Sequence, residues 1–186
     1  MDRALTVERP VVIHRVVAVM LGAALVAAAA QVSVPLPGTP VPMTLQPLAV
    51  LLVGGLLGAP LGASSLLLYL ALGAAGLPVF TPTVPLVGVA RLFGPTGGYL
   101  LAYPVAAFAV GQVAGDGKRW GRLALALLAG LALIHLGGLA QLLILTGSAA
   151  SAVRLGTVPF LIGDLLKLCI AILILRPTVN PLRARL

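Results

Sequence analysis

Six long apolar runs, separated by short stretches rich in proline, glycine and charge, make up most of the chain. They cover about residues 16–33, 43–58, 61–77, 97–114, 122–146 and 158–176. Each approaches the roughly 20 apolar residues that an α-helix needs to cross a hydrocarbon core of about 30 Å. The first run starts after Arg15 and stops before the cluster Pro35, Pro37, Pro40 and Pro42. The second stops at Gly58-Ala59-Pro60 and the third at Gly76-Leu77-Pro78, where proline ends a helix. The fourth closes before Gly115-Asp116-Gly117-Lys118-Arg119, the most polar loop. Pro159 falls in the first turn of the last run, where its missing N–H matters little, and Pro177 is expected to end that run. The pattern predicts an all-α integral membrane protein: a bundle of six transmembrane helices forming a single domain over residues 1–186.

Composition agrees. Hydrophobic residues are 60% of the 186 and charged residues 9%, against roughly 45–50% and 25% in soluble domains. So few charges exclude a soluble enzyme. A net charge of +8 would point a soluble protein toward nucleic acid. Here the cations sit in the gaps between apolar runs, which makes them a topology signal. Arg3, Arg9, Arg15, Lys118, Arg119, Arg122, Arg176, Arg183 and Arg185 fall on one side of a six-span chain, Arg91 and Arg154 on the other. The excess places both termini in the cytoplasm. Residues 1–30, with Ala27 to Ala30 as a cleavage site, also read as a secretory leader; the six-span charge balance favours keeping them. Cys169 stands alone, so no disulfide framework exists.

No charged residue occurs from Val16 to Ala90, so charge within a run is informative. Asp164 and Lys167 share the last run at i, i+3, close enough to pair. Each costs roughly 2.5–3.5 kcal/mol at the centre of a membrane helix. Counted from Val158 at about 1.5 Å per residue, they lie roughly 9 and 14 Å into the membrane, in its outer half. A paired anion and cation suit a small ligand with both N–H donors and carbonyl or carboxylate acceptors; a self-neutralising structural pair and a proton-coupled carrier using Asp164 are the alternatives. Two outer segments would close such a site: the proline-stiffened 34–47 segment, ending in Thr44 and Gln46, and the 77–97 loop, ending in Arg91 and Gly94-Pro95-Thr96-Gly97-Gly98-Tyr99. That glycine-rich backbone could approach a ligand closely. Ser64 or Ser65 with His135 would suit an intramembrane hydrolase, but the Gly-x-Ser-x-Gly elbow is incomplete. His135 and Gln141 read as interhelical hydrogen-bonding groups. Small residues at four-residue spacing, Ala23 with Ala27 and Ala24 with Ala28, allow close helix approach; a pair facing lipid would be a docking surface.

Taken in order, four motifs resemble the BioY family, the biotin-specific substrate-binding (S) components of energy-coupling-factor (ECF) vitamin transporters. They are Pro40-Val41-Pro42-Met43-Thr44-Leu45-Gln46; Tyr69-Leu70 with Gly73-Ala74-Ala75-Gly76-Leu77-Pro78-Val79-Phe80; Gly94-Pro95-Thr96-Gly97-Gly98-Tyr99; and Pro159-Phe160 with Gly163-Asp164 and Lys167. The resemblance runs from about residue 20 to 176. It implies an S component in the plasma membrane of a prokaryote that binds biotin from outside. Such a subunit topples to deliver the vitamin once docked on a membrane coupling (T) subunit and two cytoplasmic ATPase subunits. It has no catalysis and no cofactor of its own, since only the partners use ATP. The same analogy makes Asp164 and Lys167 biotin ligands, assisted by Arg91, with Gln46, Tyr69 and Thr96 as further substrate-binding candidates. One of the Ala-x-x-x-Ala pairs of the first helix would face the coupling subunit. The fifth run departs from the family, having His135 and Gln141 where aromatic residues are common. An S component for another small vitamin would use the same Asp–Lys chemistry.

Overall fold

The computed structural model describes residues 5–184; Arg3 and Arg185, two of the cations assigned to the cytoplasm, lie outside them. The described chain is mostly helical, with two two-residue strands and irregular loops between elements. In order it forms α1 (Leu5–Gln31), β1 (Ser33–Val34), β2 (Met43–Thr44), α2 (Gln46–Leu57), α3 (Ala59–Ala74), α4 (Ala90–Phe93), α5 (Gly97–Val113), α6 (Trp120–Thr146), α7 (Ala149–Gly156), a 3₁₀ turn (Val158–Phe160) and α8 (Leu161–Arg183). Val12–Gln31, Trp120–Thr146 and Ala149–Arg183 are long and apolar enough to cross a membrane; α2, α3 and α5 are apolar but shorter.

The outer surface is as apolar as the interior. Ile162, Ile144, Leu173 and Leu21 are all more than 60% exposed, an arrangement that water would not tolerate and lipid does. Helices then associate through close packing rather than through burial of grease. The α5–α6 seam illustrates this. A Cβ on Gly98 would strike the Gly137 carbonyl, one on Gly137 the Gly98 carbonyl, and one on Gly138 the Tyr99 ring. A Cβ on Gly97 would strike the Leu92 carbonyl. Gly97 and Gly98, expected to admit a ligand, therefore admit neighbouring backbone instead, and Gly94 admits the Leu86 side chain.

Several ends differ from the apolar runs. α1 begins at Leu5 rather than near residue 16, because hydropathy reports the lipid-crossing part of a helix and not its polar extension. Its Ala23, Val26 and Ala30 pack into the core, so the leader-like segment is a helix of the bundle. α2 starts at Gln46 because Met43 and Thr44 pair with Val34 and Ser33 in a short antiparallel ladder. At 12 residues α2 spans only about 18 Å. It touches α1, α3, α5, α6 and α8, and the non-helical segment leading into it is buried at Val41, Pro42 and Thr44. Pro177 does not end α8. The helix runs through Pro177 and Pro181 to Arg183, held by fully buried Val179 and by the Arg183 guanidinium. That group donates to the carbonyls of Gly55 (Nε 3.0 Å, Nη2 2.6 Å), Gly115 (2.8 Å), Gly111 (3.3 Å) and Gly54 (3.4 Å). These lie at or near the C-terminal ends of α2 and α5, where orphan carbonyls favour a cation.

Candidate ligand-binding site

The 32–45 segment, the 77–97 loop, the N-terminal halves of α5 and α8 and the middle of α6 converge on one cavity with about 550 Å³ of empty space, its mouth included. Its walls are built from separate parts of the chain. Val41, Thr44 and Gln46 come from the hairpin and the start of α2; Phe80, Thr81 and Arg91 come from the loop. Thr96, Tyr99 and Tyr103 line it from α5 and the residue before it, Ile134 and His135 from α6, and Phe160, Asp164 and Lys167 from α8 and the turn before it.

Asp164 stands in the first turn of α8, three residues from the helix start. Counting from Leu161, it is about 4.5 Å and Lys167 about 9 Å along the helix. The end of the α8 dipole favours a carboxylate here. Lys167 Nζ donates to Asp164 Oδ1 at 2.9 Å, as the i, i+3 spacing requires. His135 Nε2 lies 2.8 Å from the other oxygen, Oδ2. Asp164 and Lys167 are both buried, at 4% and 6% exposure. Two cation-capable groups thus surround one carboxylate on the cavity wall.

Arg91 is 1% exposed, so it is not the outer-surface cation of the topology tally. Nη1 donates to the carbonyls of Val84 (2.5 Å) and Leu86 (3.1 Å), and Nη2 to that of Thr81 (2.6 Å). The guanidinium therefore holds the 81–86 backbone in place. Burial draws its pKa down from the ordinary value, while an arginine remains charged in such settings. Its Nε has no partner among the described residues, and neither does the buried Thr96 Oγ1. Both residues line the cavity, and buried polar groups left open this way are rare unless something else satisfies them.

Five of the six residues proposed from sequence as substrate ligands, Asp164, Lys167, Arg91, Gln46 and Thr96, meet in this cavity. Tyr69 does not line it. Its hydroxyl accepts from Gln46 Nε2 at 2.6 Å, and its ring packs edge-on against Phe80 at 5.4 Å. It supports two wall residues from behind. Gln46 is itself committed, because Thr44 Oγ1 donates to its Oε1 and accepts from its backbone N–H, both at 3.2 Å. Gln141 lies outside the wall and ties α6 to α4, donating to the Phe93 carbonyl at 3.1 Å.

The hydrolase pairing has no geometry. Ser65 is buried and donates to the Leu61 carbonyl at 2.9 Å within its own helix and Ser64 is exposed, whereas His135 faces Asp164, Thr157 and Gly156. The two alanine pairs of α1 also separate. Ala23 is 3% exposed in the core and Ala27 half-buried, while Ala24 and Ala28 are exposed. A docking role for Ala23 is therefore excluded by its burial.

Sequence reasoning missed Tyr99 and Tyr103. Their i, i+4 spacing puts them on one helix face, the signal that could have found them. Tyr99 donates to the Gly156 carbonyl at 2.6 Å. Tyr103 is 3% exposed and lines the cavity, with no hydrogen bond to its hydroxyl among the described residues.

Comparison with known proteins gives the arrangement a lineage. The chain is 40% identical over 156 residues to a probable biotin transporter BioY of Pyrococcus horikoshii, covering 84% of this chain and 90% of that one. It is 38% identical over 151 residues to the biotin transporter BioY of Thermotoga maritima, covering 81% and 87%. A crystal structure of the S-component for biotin from an ECF-type ABC transporter superposes with a TM-score of 0.81 at 26% identity, covering 92% of this chain and 93% of that one. The BioY family model matches residues 1–184, and with these relatives covered nearly end to end, the chain belongs to the BioY family.

Proposed function

We propose that this chain is the biotin-binding S component of an ECF-type uptake transporter. The observation that carries the reading is the cavity's division of labour. A carboxylate, Asp164, is bracketed by Lys167 and His135, and Arg91 and Thr96, each with one buried polar atom left without a partner among the described residues, line the same space. Biotin has the complementary set. Its ureido N–H groups suit Asp164, its ureido oxygen and valerate carboxylate suit Lys167, Arg91 and Thr96, and its thioether ring suits Phe80, Ile134 and Phe160. The names of the relatives point to the same ligand.

In this reading the chain crosses the plasma membrane of a prokaryote six times, with α1, α2, α3, α5, α6 and α8 as spans and both termini in the cytoplasm. The burial of Arg91 supports that orientation, since it leaves Arg154 as the exposed cation on the opposite side. The subunit binds and translocates without catalysis or a cofactor of its own. A membrane coupling subunit and two ATPases supply the energy, and the exposed Ala24/Ala28 face of α1 is where a coupling helix approaches. Calorimetric titration of the purified protein with biotin, riboflavin and thiamine tests the ligand. Saturable binding of biotin alone is expected; binding of none of the three, or of another vitamin in its place, refutes it.

A further inference from the structure

Lys167 sits one turn along α8 from Asp164, so their pairing is internal to one helix. His135 reaches the same carboxylate from α6. An ionised carboxylate only accepts hydrogen bonds, so the 2.8 Å contact assigns the ring proton to Nε2. In that tautomer Nδ1 is an acceptor, and the Thr157 hydroxyl, 3.3 Å away, is a donor that can meet it. The Gly156 carbonyl, also 3.3 Å from Nδ1, already accepts from the Tyr99 hydroxyl. The Tyr99 ring meets the imidazole edge-on, with centroids 6.2 Å apart. The imidazole is thus fixed in both position and tautomer by the α7–α8 junction and by α5.

We propose that His135 is a positioning residue for ligand recognition: the relay from Thr157 through His135 to Asp164 Oδ2 sets the plane of the carboxylate that receives the ligand's N–H donors. The proposal rests on the biotin-binding reading and adds a residue to it. A carboxylate has about four lone-pair sites. Lys167 occupies one on Oδ1 and His135 one on Oδ2, which leaves one on each oxygen for a pair of donors. The terminal torsion of aspartate is broad and roughly two-fold. Without His135, Oδ2 is free to turn toward Lys167, and the ligand must reorder the group as it binds.

Biotin titrations of wild type, His135→Phe, His135→Gln and Thr157→Val in detergent test this. Phenylalanine keeps a ring against Tyr99 but has no donor; glutamine returns an N–H that can reach Oδ2. The expected result is a loss of about tenfold or more for His135→Phe, with His135→Gln within about threefold of wild type, the scale of one hydrogen bond to a charged group. Thr157→Val should weaken binding about two- to fivefold in the wild-type background and not at all beside His135→Phe. A His135→Phe protein that binds within threefold of wild type overturns the proposal, as does a His135→Gln protein as weak as the phenylalanine variant. Should His135→Phe fail to fold, Thr157→Val keeps the imidazole in place, and unchanged affinity there overturns it equally. A wild type that ignores biotin is a different failure and removes the functional reading itself.

Discussion

Replacing Asp164 with Asn deletes one charge and almost no volume. Oriented with its oxygen toward Lys167, the amide keeps that 2.9 Å bond as acceptor and turns its NH₂ group toward His135. The imidazole can meet this by exchanging tautomers: Nε2 becomes the acceptor, and Nδ1–H donates to the Gly156 carbonyl 3.3 Å away. The local network therefore survives, and the protein should fold. What cannot survive is the charge-assisted reception of the ligand's N–H groups. Hydrogen bonds to charged groups are worth about 1.5–3 kcal/mol, and with 1.4 kcal/mol per decade this becomes a loss of roughly ten- to more than a hundredfold in Kd. Lys167, left without its counter-charge, is a cost to the empty protein more than to the complex and so offsets part of that loss. Titration calorimetry of the purified variant measures Kd, and a melt in detergent without ligand checks the fold. A well-folded Asp164→Asn protein binding biotin within threefold of wild type would refute the assignment of this carboxylate as the acceptor for the ligand.

Tyr103→Phe removes a hydroxyl that has no hydrogen bond among the described residues yet faces the cavity, so its melting temperature should hold while biotin affinity falls about two- to tenfold, one neutral hydrogen bond's worth; equal affinity in a titration removes Tyr103 from the ligand's contacts. Ala24→Leu with Ala28→Leu should leave both binding and the melt intact and sharply reduce uptake of radiolabelled biotin in cells expressing the partner subunits. Ala23→Leu should instead destabilise the isolated subunit by about 1–3 kcal/mol through overpacking, and the reverse pattern would mean that the faces are misassigned. Arg183→Ala strips the hydrogen bonds from the carbonyls of Gly54, Gly55, Gly111 and Gly115 and should lower stability by about 1.5–3 kcal/mol with ligand affinity unchanged, as read by chemical unfolding in mixed micelles and by titration.

The helices were legible because lipid imposes one rule on every outward side chain, and proline and glycine mark where that rule lapses. The ends were harder, since they depend on contacts between distant residues. Pro177 reads as a terminator until Arg183 is seen anchored on α2 and α5, and Met43 reads as the start of a helix until its partner Val34 is known. The site divides the same way. Asp164, Lys167 and Arg91 were conspicuous as charges in apolar surroundings. Tyr69 stood in a recognisable motif, which marks its neighbourhood but not which side of the wall it occupies. His135 could be read as a bonding group but not assigned to Asp164, because their separation of 29 positions takes in α7 and a 3₁₀ turn that no apolar periodicity announced.

The fate of the basic residues governs how a ligand meets this protein. At the end of the bundle bearing the hairpin and the cavity stand Arg91, Lys167 and Arg154, and the first two are buried. An approaching anion thus encounters a face whose single exposed cation among the described residues is offset on α7, in a medium where salt screens charge beyond about 8 Å. No long-range field draws it in, so ionic strength has little hold over the encounter rate, which follows diffusion and the fraction of collisions that find the mouth. Recognition begins only after entry, when the buried groups act at short range and without competing ions, and discrimination between ligands is then expressed in how slowly the right one leaves.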